Sequence, residues 1–79
     1  MRIDRLVAMA NDIAAFFASE PDEVAAARGV AAHLERFWDP RMRQQIIAHH
    51  RHGGAGLTVV ALAGVRRLAE TSASQNPTR

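Results

Sequence analysis

The dipeptide Asp39-Pro40, set inside the run Phe37-Trp38-Asp39-Pro40-Arg41-Met42-Arg43, dictates where this chain must bend. Proline disfavours the α conformation in the residue before it, so a helix carrying Phe37 and Trp38 has to stop there. The same proline suits the first position of a new helix, where no N–H partner is needed and φ is already set. Asp39 completes the start, because its carboxylate accepts hydrogen bonds from the free N–H groups of a first turn. The sequence therefore predicts a corner between two helices. Two large aromatics stand at its near end, and Arg41 and Arg43 follow on the far side.

Helical spacing extends in both directions from this corner. Over about residues 2–18, Ile3, Leu6, Ala10, Ile13 and Phe17 recur at three- and four-residue steps, and Val7, Ala14 and Phe16 widen that stripe. Ser19 and Asp22 resemble a capping box, and Pro21 suits a first turn. A second helix is expected over about 21–38, with Val24, Ala27, Val30, Ala31, Leu34, Phe37 and Trp38 on its apolar side. Gly29 in its interior costs about 1 kcal/mol against alanine, which a close helix crossing would explain. The third helix runs from Pro40 to about Arg51 with Met42, Ile46 and Ile47 inward, and Gly53-Gly54 ends it. The fourth begins after Thr58 as its cap. Leu57 and Leu62 form a hydrophobic staple there, and Val59, Leu62, Val65, Leu68 and Ala69 face the core.

No segment alternates with a period of two, and residues 71–79 carry no large apolar side chain. The expected fold is all-α: a small bundle of three to four helices over residues 1–70, followed by a flexible tail over 71–79.

A core of this size rarely supplies more than about 3–5 kcal/mol of net stability. The 79 residues include no cysteine, so no disulfide adds to it. Hydrophobic residues make up 48% of the chain and aromatics 5%; alanine fills much of the gap and buries little area per residue. Either the helices pack closely or a partner shares the core. The isoelectric point near 11 reflects the lack of Lys, Tyr and Cys rather than a large charge, since the net charge is +2. Acids and bases are interspersed, as in Arg2-Asp4-Arg5 and Glu35-Arg36, so no single-signed face for nucleic acid is expected. Asp4, Arg5, Asn11 and Asp12 interrupt any apolar stretch suited to a signal peptide, and nothing approaches the ~20 apolar residues of a membrane span. The expected location is the cytoplasm.

His49, His50 and His52, with His33 elsewhere, invite a metal-site reading. Adjacent helical residues point about 100° apart, no HExxH pattern exists, and no carboxylate is near. The expectation is that these histidines meet the exposed carbonyls at a helix C-terminus. No metal or cofactor is expected on this chain. Enzymatic chemistry is equally poorly supplied. Cys, Lys and Tyr are missing as nucleophiles or acids, and His33 and Glu35, two apart, diverge on a helix. Gly53-Gly54-Ala55-Gly56 lacks the strand and Lys of a phosphate loop and reads as a linker. No residue is assigned to catalysis.

Protein binding remains. Phe16, Phe17, Phe37, Trp38 and Met42 are more bulky groups than one narrow stripe per helix hides. Trp38 has two readings, a core residue or an interface anchor. On the anchor reading Trp38→Ala loses a partner and keeps its helices; on the core reading it unfolds. Arg41 and Arg43 are either solvated or bidentate to partner carboxylates. The candidate partner interface is Phe37, Trp38, Asp39, Pro40, Arg41, Met42 and Arg43.

The opening Ile3-Asp4-Arg5-Leu6-Val7-Ala8-Met9-Ala10-Asn11, with Ile13 and Phe16-Phe17, the Pro21-Asp22 turn, the FWDPRMR run and Gly56-Leu57, resembles the delta subunit of NAD-dependent, molybdenum-containing formate dehydrogenases. The resemblance spans about residues 1–69. It implies a small accessory subunit of a cytoplasmic, heteromeric formate oxidoreductase. Its partner would be the catalytic (alpha) subunit, supported in assembly, stability or cofactor loading. Molybdenum cofactor, iron–sulfur clusters, flavin and NAD are then expected in the partner subunits, and a chain without cysteine offers no thiolate to a cluster. Thr58-Val59-Val60 departs from the family, which often has an acidic or small residue and then proline there. The alternative is a small Arg-rich helical nucleic-acid-binding or regulatory module using Arg41, Arg43 and Arg51, with steeply salt-dependent affinity. A third reading is self-association of the isolated chain through exposed apolar surface.

Overall fold

The computed structural model describes residues 1–74, in which four helices follow one another: α1 Ile3–Phe17, α2 Glu23–Phe37, α3 Pro40–Arg51 and α4 Val59–Ser74. The all-α expectation holds, and the start of each later helix follows from its capping residue. The Asp39 carboxylate accepts the Met42 N–H at 2.9 Å, with Pro40 in the first turn of α3. Thr58 Oγ1 accepts the Ala61 N–H at 3.3 Å to open α4. Between α1 and α2 the expectation needs correction. Asp22, not Ser19, caps α2 by accepting the Val24 N–H at 2.9 Å, so the helix begins at Glu23 and Pro21 lies outside it.

Helix α3 ends where the two glycines stand. Gly54, at φ +65°, returns its N–H to the His49 carbonyl at 2.9 Å, in a left-handed conformation that a side chain disfavours. Helix α4 passes residue 70 and continues to Ser74, so the first part of the expected tail is helical. No Pro or Gly interrupts 71–74, and small polar residues are tolerated once a helix is propagating. Residues 75–79 of that tail lie outside the described residues.

The core joins all four helices. Leu6, Val30, Leu34, Ile46 and Val65 are its largest fully buried side chains, with Ala10, Ala14, Ala31, Trp38, Ile47, Leu57, Ala61 and Leu68 around them. Helices α2 and α4 form the most extensive contact, while α3 lies against α1 and α4 rather than back along α2. The α2–α4 approach is set by Gly64: a Cβ there would stand 2.4 Å from Val30 Cγ1. Gly29 does not mark a backbone crossing. It receives the ring of Phe17, two carbons of which would lie 2.5 Å from an added Cβ.

Five residues assigned inward by spacing are exposed: Ile3, Phe16, Val24, Phe37 and Val59. All five stand within two residues of a helix end, where an apolar stripe outruns the neighbour it would pack on. Ala26 and Ala61 are buried on α2 and α4 instead.

Candidate functional site

The corner is built largely from its own side chains. Trp38 ends α2, donating its N–H to the Leu34 carbonyl at 3.0 Å, and its extended ψ of 140° turns the chain out of the helix. Its indole is only 5% exposed and belongs to the core. Asp39 is engaged as the α3 cap, Pro40 occupies the first turn, and Met42 is half-buried against the core. Arg43 reaches back from α3 to the end of α2. Its Nη1 donates to the Trp38 carbonyl at 2.6 Å and the Glu35 carbonyl at 3.1 Å, two of the acceptors a helix C-terminus leaves open. Of the seven corner residues, Phe37 and Arg41 are the large side chains presented outward. Phe37 is 69% exposed, with its ring 4.7 Å from the His33 imidazole and tilted by 42°.

Phe37 continues into a broader apolar face formed by α1 and α2. Two shallow hollows share Asp12, Ile13 and His33. One extends to Phe16 and Phe17. The other extends to Met9, Phe37, Trp38 and Met42. Phe16 is 78% exposed, and its ring meets Phe17 edge-on at 5.1 Å. The aromatic series therefore runs from Phe16 through Phe17, over Gly29, to His33 and Phe37.

The C-terminal histidines serve as ties to the backbone. His49 Nε2–H donates to the Ala55 carbonyl at 2.7 Å, and His52 Nδ1–H donates to the Ala48 carbonyl at 2.8 Å; a carbonyl only accepts, which fixes the proton in each case. Among the described residues no group of three or more His, Cys, Asp or Glu side chains is arranged to hold a metal. His33 and Glu35 face different sides: His33 lines the α1–α2 face, whereas Glu35 borders a hollow with Pro40, Arg43 and Leu68. Among the described residues no helix is long and apolar enough to cross a membrane.

One organising residue escaped sequence reasoning. Asn11 Nδ2 donates to the Gly56 carbonyl and its Oδ1 accepts the Thr58 N–H, both at 2.9 Å. The amide thereby ties α1 to the loop before α4. The available signal was a polar residue beside the apolar stripe of α1, but nothing local names a partner so distant in sequence.

The family described as NADH-dependent formate dehydrogenase delta subunit FdsD matches residues 5–65 of the chain. No curated protein and no solved structure gives a significant match.

Proposed function

The chain belongs to the family of NADH-dependent formate dehydrogenase delta subunits, and from that premise we propose that it is a non-catalytic subunit of a cytoplasmic complex. It binds the catalytic subunit and supports its assembly, stability or cofactor loading through protein contacts. The redox groups reside in the partner subunits; this chain has no cysteine to ligate a cluster.

The observation that carries the reading is the exposure of two phenylalanines, Phe16 at 78% and Phe37 at 69%, at opposite ends of one apolar face. Large aromatics are favoured in contact patches because they bury much area with few torsions to freeze. Arg41, exposed at the corner beside Phe37, supplies a guanidinium for partner carboxylates. The nucleic-acid reading is weakened by Arg43, whose guanidinium is bonded to two α2 carbonyls instead of facing a phosphate track.

Co-expression with the tagged catalytic subunit tests the proposal. The chain is expected to co-purify in fixed proportion, and omitting it is expected to lower the molybdenum content or lifetime of the catalytic subunit. A fully loaded, equally durable complex that never contains the chain would refute it.

A further inference from the structure

The two hollows of the α1–α2 face meet at a saddle of Asp12, Ile13 and His33. On the α1 side Met9 and Phe16 lie seven positions apart, about two turns or roughly 10 Å along the axis. On the α2 side Gly29, His33 and Phe37 follow at four-residue steps, so Phe17 over Gly29 and Phe37 bound a similar length. The surface is a groove between two helices, apolar at both ends, with one carboxylate at its middle. Asp12 is exposed, and the ion pairs among the described residues, Arg2–Asp4 and Arg66–Glu70, do not involve it.

We infer that this groove receives one amphipathic helix of the catalytic subunit. Large apolar side chains two turns apart on that helix fill the two hollows, and an Arg or Lys between them meets Asp12. The inference rests on the proposal above that the chain is a subunit. An i, i+7 pair of apolar anchors on an incoming helix matches the length of the groove. Phe16 and Phe37 together leave on the order of 300 Å² of aromatic surface open, the scale of a functional patch on a small protein. That is less than the roughly 800 Å² per partner of a standard interface, so the groove forms the centre of a larger contact with a polar rim. Charge argues against a second copy of this chain. Two-fold pairing brings each surface to its own kind, which sets Asp12 against a lining that holds another carboxylate and no Arg or Lys.

The test uses the full chain and the catalytic subunit of its complex, with Phe16→Ala, Phe37→Ala, Asp12→Asn and Asp12→Arg compared by equilibrium binding. Each alanine variant should bind roughly tenfold more weakly or worse. Asp12→Arg should lose more affinity than Asp12→Asn. All three positions are exposed, so helical circular dichroism should not change. Should either Phe variant lose helix, the Asp12 pair still reads the groove from a position with no core contact. A wild-type chain that fails to bind the catalytic subunit refutes the subunit reading itself. Wild-type binding that these substitutions leave unaltered overturns the groove alone. An isolated chain that sediments as a dimer, and that both Phe variants render monomeric, assigns the groove to a second copy and also overturns the inference.

Discussion

The Arg43 guanidinium donates to the Trp38 carbonyl at 2.6 Å, so a side chain of one helix closes the end of the helix before it. A hydrogen bond from a charged donor contributes about 1.5–3 kcal/mol, a large part of what a domain this size has. Arg43→Ala should therefore lower the urea midpoint markedly. Arg43→Lys should recover only part of the loss, because one nitrogen, Nη1, serves both the Trp38 and Glu35 carbonyls and the lysine ammonium ends one bond short of it. An Arg43→Ala chain of unaltered stability that no longer binds its partner would return Arg43 to the interface.

Trp38→Ala should unfold the isolated chain. Truncating a buried aromatic of this size costs about 3–5 kcal/mol, comparable to the whole net stability expected here. Phe37→Ala, one residue earlier but 69% exposed, should change stability by no more than about 0.5 kcal/mol. Far-ultraviolet circular dichroism of the pair under denaturant checks both. Retained helix in Trp38→Ala would contradict the core placement.

The helical glycines 29 and 64 should respond differently to alanine. At Gly64 the new methyl meets Val30 Cγ1 and Cβ at 2.4 and 2.5 Å, and Val30 is fully buried. Overpacking of about 1–3 kcal/mol should outweigh the ~1 kcal/mol gained in helix propensity. Combining Gly64→Ala with Val30→Ala should recover part of the overpacking cost. At Gly29 the obstacle is the ring of Phe17, which is only partly buried and can shift where fully buried Val30 cannot, so Gly29→Ala should lose less stability than Gly64→Ala. Thermal melts of the three variants provide the comparison.

Asn11→Ala removes both the donor to Gly56 and the acceptor for Thr58, each worth about 0.5–1.5 kcal/mol. Amide exchange at Thr58 should accelerate in this variant. Asn11→Asp keeps the acceptor and loses the donor, so Thr58 should remain better protected than in Asn11→Ala. Equal exchange in both variants would show that the Gly56 bond carries the tie.

Much of this architecture was legible because local chemistry decides it. Asp39-Pro40, Thr58 and Gly53-Gly54 mark their boundaries through hydrogen bonds made within a few residues, and the structure makes those bonds. The stripe residues Leu6, Ala10, Val30, Leu34, Ile46, Val65 and Leu68 are buried as their spacing implies. Spacing gives direction around a helix and not the length of the neighbour, which is why Val24, Phe37 and Val59 fall on apolar stripes and yet are exposed. Of the corner residues singled out for a partner, Trp38 went into the core and Arg43 to the α2 carbonyls. Spacing puts Phe16 on the α1 apolar stripe, yet it lies exposed on the α1–α2 face. Which bulky residue remains outside depends on tertiary contacts such as Phe17 over Gly29, and a one-dimensional pattern does not contain them.

Because Asp39 and Arg43 hold the bend from within, positions 37 and 41 carry little architectural duty. Their side chains can be exchanged without rewriting the turn between α2 and α3. A double substitution at these two positions should therefore leave the bend, and the order of the helices on either side of it, as they are.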